Sequence, residues 1–170
     1  MNGGMELYLH MPFCVRKCAY CDFLSFPTDQ ETQNLYTRRL REDIDAMGKK
    51  YGDIPVDTIF IGGGTPSVPD SALIVGIMEH VRKAFHVAEG AEISMEANPG
   101  TVTREKLTDY RRAGINRLSF GLQSANDREL KLLGRIHTWA EFLESFHLAR
   151  ECGFTNINID LMSALPGQTP

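Results

Sequence analysis

The sequence lacks any apolar run that approaches the roughly 20 residues a membrane-spanning helix needs. Its first residues also lack the charged and apolar regions of a secretory signal peptide. These two absences predict a cytoplasmic protein without a membrane-spanning segment. There is no excess of basic residues either, since the formal net charge is -4. Nucleic acid is therefore not expected as a partner, because binding phosphates requires a cationic surface.

Cysteine is also scarce, with 4 residues in a chain of 170. A disulfide framework is not expected, because cytoplasmic thiols are kept reduced, and this favours a metal-binding or catalytic use of the cysteines. The chain contains no internal repeat, low-complexity tract or Gly/Ser linker, which indicates one domain. Residues 1–4 are expected to be a short leader, because Gly3 and Gly4 give little packing or backbone preference. The domain is then expected to occupy residues 5–170.

Short runs typical of β-strands alternate with amphipathic patterns typical of helices. The predicted strands are Glu6 to His10, Asp57 to Ile61, Glu92 to Glu96, Arg117 to Gly121 and Asn156 to Leu161. Two helical patterns each predict a buried stripe, one formed by Tyr36, Leu40, Ile44, Met47 and Tyr51, the other by Leu73, Ile77, Val81 and Phe85. Further helices are predicted after Thr103, ending at Gly114, and at the capping box of Thr138 and Glu141.

This alternation indicates an α/β fold with a parallel sheet, either a doubly wound sheet or a βα barrel. A complete eight-fold barrel needs about 250 residues, so five strands leave a barrel open. The sequence stops after the fifth predicted strand, at Leu165 to Pro170. We therefore expect the N-terminal part of a larger core domain, with the remainder absent.

Three cysteines follow the first predicted strand with the spacing C-x3-C-x2-C: Cys14, Cys18 and Cys21. Three thiolates from one loop can hold a four-iron cubane cluster while one iron remains open for another ligand. The alternative is a zinc ion bound by the same cysteines and His10. Cys152 continues a predicted helical face and is expected to be a buried structural thiol.

A glycine turn, residues 62–66, follows the second predicted strand and contains Gly62, Gly63, Gly64, Thr65 and Pro66. Such a turn lets backbone groups approach a ligand, although an ordinary tight turn has the same composition. No Gly-Lys-Ser/Thr follows, which disfavours a phosphate loop. Glu96, Gln123 and Asp160 lie at or just beyond strand ends, where the ligand site of a βα barrel is found.

Six motifs in this order carry a family resemblance: Leu7 to Cys14, the glycine turn, Ser94 to Pro99, Leu118 to Ser124, Leu133 to Arg135 and Asn158 to Met162. Together with the aromatic Tyr20 before Cys21, they resemble the radical S-adenosylmethionine (SAM) superfamily and, within it, the oxygen-independent coproporphyrinogen III oxidase family. The resemblance implies a partial, open βα barrel of radical SAM type, truncated after about the fifth strand. It also implies a [4Fe-4S] cluster on Cys14, Cys18 and Cys21, and a reductant such as flavodoxin or ferredoxin.

The resemblance further implies which residues bind SAM: Tyr8, Gly63, Gly64, Thr65, Glu96, Gln123, Arg135 and Asp160, with Tyr20 packing near the adenine. The family has two branches. Its dehydrogenases carry a further cysteine two residues after the third, where this sequence has Phe23. That position favours the branch of haem chaperones, which bind haem and pass it to respiratory proteins. A dehydrogenase acting on coproporphyrinogen III is the alternative, and a zinc-binding module without enzymatic activity is the second alternative.

Overall fold

A computed structural model describes residues 4–168, and strands alternate with helices along this part of the chain. The elements are β1 (Met5–Met11), α1 (Gln30–Tyr51), β2 (Val56–Gly63), α2 (Ser71–Ala84), β3 (Val87–Ala97), α3 (Arg104–Arg112), β4 (Arg117–Gln123), α4 (Asp127–Leu133), α5 (Trp139–Glu151) and β5 (Asn156–Leu161). The expected leader lies outside the described residues except for Gly4, and so do Thr169 and Pro170.

The five strands form one parallel sheet in the order β1-β2-β3-β4-β5. Each strand therefore lies beside the next strand in the sequence, as in a βα barrel, and the expected partial α/β barrel is confirmed. The register pairs Met11 with Gly63 and Gln123 with Leu161 at the carboxyl ends of the strands. These ends meet at one edge of the sheet, where the cysteine and glycine motifs follow their strands.

Apolar side chains from the sheet and the surrounding helices form one core. Its largest fully buried members include Phe13, Tyr110, Phe120 and Phe154. All five predicted strands form, but β3 begins at Val87 and is longer than predicted. Its first residues pair with β2 beyond a register shift and include Gly90 with a φ of 79°. This stretch contains glycine and glutamate, which are uncommon in strands, so the sequence pattern does not predict a strand there.

The predicted buried stripe of α1 is wrong at its C-terminal end. Ile44 is buried, whereas the side chain of Met47 is 54% exposed and Tyr51 is exposed as well. The packed face of α1 continues instead through Gly48, where a Cβ atom would lie 2.5 Å from the Ala84 Cβ at the end of α2. Met47 lies beside this contact and is exposed to solvent.

The predicted helix ends are confirmed at two sites. Thr138 and Glu141 form a complete capping box, and the Thr103 side chain accepts a hydrogen bond from the Lys106 N–H. Helix α4 is absent from the sequence predictions, although Asn126 caps its start and Gly134 ends it in the left-handed region. Cys152 is half-buried against the core, not fully buried. None of the helices in residues 4–168 has both the length and the apolar composition needed to cross a membrane.

Candidate functional site

A cavity of about 360 Å³ lies at the carboxyl edge of the sheet. Its volume falls within the range of about 300–1,000 Å³ that is usual for small-molecule sites. The predicted site residues that line it are Cys14, Cys18, Tyr20, Cys21, Gly63, Gly64, Thr65, Glu96, Gln123, Arg135 and Asp160. These residues come from distant segments and line one cavity because parallel strands end at the same edge of the sheet.

Tyr8 is the one residue of the predicted cluster and SAM site that does not line the cavity. Its side chain is 59% exposed, and its ring stacks on Phe60 with the centroids 6.2 Å apart. The Tyr8 hydroxyl lies 2.9 Å from His10 Nδ1. Burial and the nearby charge of Glu96 raise the pKa of Tyr8. A role for Tyr8 in ligand binding stays a prediction from the family resemblance.

The cysteine loop, residues 12–26, is attached to the glycine turn by backbone hydrogen bonds. Gly64 N–H donates to the Met11 carbonyl at 2.8 Å, and Thr65 N–H donates to the Phe13 carbonyl at 2.6 Å. A Cβ atom on Gly64 would lie 2.6 Å from that Phe13 carbonyl oxygen. Position 64 therefore requires glycine, because any side chain would separate the two segments.

The opposite side of the cysteine loop is attached to the end of α4. Ala19 N–H donates to the Leu133 carbonyl at 3.1 Å, and the Arg16 guanidinium donates to the Gly134 carbonyl at 2.8 Å. Both carbonyls lie at the C-terminus of a helix, where they need partners from outside the helix. Lys17 instead donates to the Phe23 carbonyl at 2.9 Å, within the loop. The two basic residues therefore stabilise the loop conformation.

The three cysteines of the loop are free and partly accessible around the cavity. Within residues 4–168, no three His, Cys, Asp or Glu side chains are grouped as a single metal ion would require. A zinc ion needs each thiolate at about 2.3 Å from one centre, whereas a cubane cluster is large enough to bind thiolates at separate irons. Three thiolates at one cavity thus fit a [4Fe-4S] cluster with one open iron.

His10 does not line the cavity, which argues against the alternative of a zinc ion bound by three cysteines and this histidine. Its Nε2 donates to the Leu24 carbonyl at 2.9 Å. In the neutral ring, Nδ1 then accepts from the Tyr8 hydroxyl. Both nitrogens therefore have partners, Nδ1 within β1 and Nε2 in the cysteine loop. The His10 ring also packs against Gly63. A Cβ atom on Gly63 would lie 2.5 Å from this ring, and the φ of Gly63 is +115°.

Glu96 connects the end of β3 to the glycine turn. Its Oε2 accepts a hydrogen bond from the Gly63 N–H at 2.9 Å. Burial is the main cause that raises the pKa of Glu96, and the negative charge of Asp160 raises it further; the Gly63 hydrogen bond and His10 act in the opposite direction. Two carboxylates beside one cavity create a negative potential that favours a cationic ligand group.

Asp160 is held at the end of β5 by two polar neighbours. Ser119 Oγ donates to Asp160 Oδ2 at 3.2 Å, and Asn158 Nδ2 donates to Asp160 Oδ1 at 2.7 Å. Gln123 lies nearby at the end of β4, where the strand register shifts. Its φ of 73° is unusual for a residue with a side chain. Such strained backbone is common where a side chain is presented to a ligand.

Arg135 lies between the cysteine loop and the sheet. Its Nη2 donates to Asn98 Oδ1 at 2.7 Å and to the Gly121 carbonyl. Its Nη1 lies 3.6 Å from Cys18 Sγ and 3.5 Å from the Tyr20 hydroxyl. Burial is the main cause that raises the pKa of Tyr20, and the positive charge of Arg135 opposes it.

Sequence reasoning missed several residues that line the cavity, among them Asn98, Ser119 and Gly121. Asn98 directly follows β3, so the rule that located Glu96 and Asp160 also applies to it. Ser119 lies inside β4, and only the twist and register of the sheet bring its side chain to the cavity. Nothing in the sequence pattern distinguishes Ser119 from other strand serines such as Ser94.

Comparison with known proteins decides the family. The sequence profile of the Radical SAM superfamily matches residues 8–170. The chain belongs to the radical SAM superfamily. It is 43% identical over 171 residues to the protein named heme chaperone HemW of Escherichia coli, covering 97% of this chain and 44% of that protein. It is 39% identical to the HemW protein of Bacillus subtilis, covering 95% of this chain and 43% of that protein.

Solved structures agree with this radical SAM assignment. The coproporphyrinogen III oxidase HemN of Escherichia coli, described as a radical SAM enzyme, matches with a TM-score of 0.91 and 33% identity, over 100% of this chain and 40% of that one. The hydrogenase maturase HydG matches with a TM-score of 0.62 at 14% identity, a likeness of fold alone. The chain is thus a radical SAM protein of the coproporphyrinogen III oxidase-like family, as its motifs predict. It spans less than half the length of these curated relatives.

Proposed function

We propose that this radical SAM chain binds a [4Fe-4S] cluster and SAM and that the protein acts as a haem chaperone. The observation that carries the cofactor assignment is the common cavity of three loop cysteines and the glycine turn. Phe23, at the position where the dehydrogenase pattern has a cysteine, supports the chaperone. The names of the HemW relatives, at 43% and 39% identity, support it as well.

When bound, the cluster and SAM supply one-electron chemistry at the sulfonium. The residues of this chain hold and orient the ligands. Cys14, Cys18 and Cys21 would hold three irons of the cluster, so that one iron would remain for a non-protein ligand. The glycine turn lets backbone groups approach the methionyl end of SAM, because no Cβ atom intervenes there.

Glu96 and Asp160 supply negative charge where the cationic ammonium and sulfonium groups of SAM would lie. Asp160 is oriented by Ser119 and Asn158, so its carboxylate does not need to reorganise when a ligand binds. Tyr20 lies at the rim of the cavity, where its ring would cover the adenine. These residues bind and orient the ligand, and no residue here is assigned a proton transfer.

Oxidative decarboxylation of coproporphyrinogen III is the second candidate. The TM-score of 0.91 and the 33% identity to HemN favour it. Both candidates involve a porphyrin, either haem or its precursor, and a reductant such as flavodoxin or ferredoxin. The chaperone additionally needs a respiratory protein that accepts haem. Both functions are proposed for the cytoplasm.

Anaerobic reconstitution with iron and sulfide tests the cofactor assignment. We expect a brown protein with about four irons and four sulfides per chain, because a cubane cluster has this composition. Cys18→Ala should abolish this cluster. Cys152→Ala is the matched control and should retain it, because Cys152 lies beside the Arg104 carbonyl and does not line the cavity. A colourless protein containing stoichiometric zinc would refute the proposal.

Two incubations of the reconstituted protein separate the candidates. In the first, the protein is mixed with haem and passed over a gel-filtration column. In the second, it receives coproporphyrinogen III, SAM and a reductant. Retained haem without release of carbon dioxide supports the chaperone, whereas SAM-dependent release of carbon dioxide supports the dehydrogenase and contradicts our preferred function.

A further inference from the structure

A continuous chain of polar contacts connects two of the three cysteines through the floor of the cavity. Thr65 Oγ1 lies 3.9 Å from Cys14 Sγ. Asn98 Nδ2 donates to Thr65 Oγ1 at 2.9 Å, and Asn98 Oδ1 accepts from Arg135 Nη2 at 2.7 Å. Arg135 Nη1 then lies 3.6 Å from Cys18 Sγ. The Asn98 amide is the centre of this chain.

The direction of each hydrogen bond follows from the chemistry of the groups. An amide can donate and accept at the same time, whereas a guanidinium can only donate. Because the Thr65 hydroxyl already accepts from Asn98, its own proton is available for the Cys14 sulfur. Thr65 is buried, with 3% of its surface exposed, so water does not compete strongly for this proton. Both sulfur atoms therefore face a hydrogen-bond donor that Asn98 orients.

Arg135 is held on the side away from the cysteines as well. Besides Asn98, the Gly121 carbonyl accepts from Nη2, and the buried Nε has no hydrogen-bond partner among the described residues. The guanidinium thus has its contacts at the two terminal nitrogens, one facing the sheet and the other facing Cys18. Loss of the Asn98 side chain would remove one of the two contacts that fix the sheet-facing nitrogen.

We propose that Asn98 is a positioning residue for the cluster and that it raises the cluster's reduction potential. Asn98 does so by directing the Thr65 hydroxyl to Cys14 and the Arg135 guanidinium to Cys18. This proposal rests on the cluster assignment made above. Reduction adds one electron from an external one-electron donor to the cluster and breaks no bond in this step. Hydrogen bonds and positive charge at the sulfur ligands stabilise the more negative, reduced form, and so favour reduction.

The structure offers a substitution that removes the Asn98 side chain while leaving its backbone anchored. The Asn98 N–H donates to Ser67 Oγ at 3.2 Å, and the Asn98 carbonyl accepts from Thr101 Oγ1 at 2.7 Å. Neither contact involves the amide side chain. In Asn98→Ala the end of β3 should therefore keep its position, while Thr65 and Arg135 lose their common partner.

The experiment is a potentiometric titration of the reconstituted protein without SAM, followed by electron paramagnetic resonance. We expect Asn98→Ala and Arg135→Gln each to shift the midpoint potential to more negative values at unchanged iron content. The midpoint potential of the double variant should shift by less than the sum of the two single shifts, because both substitutions remove the contact between Asn98 and Arg135. Arg117→Gln is the matched control, since it removes the same charge at the far end of β4, where Arg117 contacts Ser94. It should titrate like the wild type.

Wild-type potentials in Asn98→Ala and Arg135→Gln, with full clusters, would overturn the proposal and leave the cluster assignment intact. Absence of a cluster from the wild-type protein would instead refute the cluster assignment itself. If Asn98→Ala binds no iron, Asn98→Asp becomes the decisive variant, because its carboxylate still accepts from Arg135. Restored iron binding would support positioning through Arg135. Failure of both Asn98 variants, with normal iron binding by Arg135→Gln, would contradict it.

Discussion

His137 is a buried, neutral histidine, and we expect it to make the fold sensitive to acid. It follows the cavity residue Arg135 and is 3% exposed. Neither ring nitrogen has a hydrogen-bond partner of good geometry among the described residues. Burial is the main cause that lowers the pKa of His137 to about 4, and the positive charge of Arg135 lowers it as well. The Leu122 backbone and the negative charges of Glu141 and Asp127 oppose the shift.

The sign of the effect follows from proton linkage. The unfolded chain binds a proton at His137 near its ordinary pKa of 6.5, whereas the folded chain does so only near pH 4. Stability is therefore complete above pH 6.5 and is lost as the pH falls from there toward 4. This difference between the two pKa values corresponds to about 3 kcal/mol of folding stability in total. Of this free energy, about 2 kcal/mol is lost between pH 7 and pH 5.

The measurement is urea unfolding of the metal-free protein at pH 7 and pH 5. His137→Leu cannot titrate, so its free energy of unfolding should fall between the two pH values by about 2 kcal/mol less than that of the wild type. Other groups, including Glu96 with its raised pKa, are present in both proteins and cancel in this difference. An equal loss of stability in the two proteins would refute the assignment of the acid sensitivity to His137.

Three substitutions and one pH dependence give further predictions for the cavity. Gly64→Ala should lower iron binding and stability, because its Cβ would lie 2.6 Å from the Phe13 carbonyl oxygen. Glu96→Gln should weaken SAM binding at least several-fold in calorimetry at unchanged iron content, while Glu92→Gln, earlier in β3, should not. SAM affinity should also fall as the pH drops through the raised pKa of Glu96. Gln123→Gly should stabilise the fold by up to about 1 kcal/mol, because glycine adopts a positive φ without strain.

Each of the three substitutions has a contradicting outcome. Full iron content in Gly64→Ala would show that the cysteine loop does not depend on the close approach of Gly64 to the Phe13 carbonyl. Equal SAM affinity in the wild type and Glu96→Gln would remove the carboxylate from the binding site. A lower urea midpoint in Gln123→Gly would show that the side chain stabilises the strand end by more than its backbone strain costs.

The cysteine loop and the strand ends could be predicted from the sequence because their signals are local. Cysteine spacing, three consecutive glycines and polar residues after apolar runs are all visible within a few residues. Parallel strands then bring these segments together without any further information. Glu96 and Asp160 reach one cavity for this reason, although 64 positions separate them.

The remaining features depend on contacts between distant segments. The position of Arg135 against Cys18 requires α4, a short helix whose seven residues give only a weak periodic signal. The role of Asn98 requires knowledge of which atoms its amide meets. The exposure of Met47 depends on the packing of the neighbouring Gly48 against Ala84, and hydrophobic periodicity does not show which glycine packs against another helix.

The attachment of the cysteine loop on two sides limits how this motif can be transplanted. A protein engineer who copies only residues 14–21 into another barrel would omit the Gly64 approach on one side and the Leu133 and Gly134 carbonyls on the other. The grafted thiols would then have the correct spacing but no fixed geometry. A functional transplant must carry all three segments, which are far apart in sequence and form one unit in space.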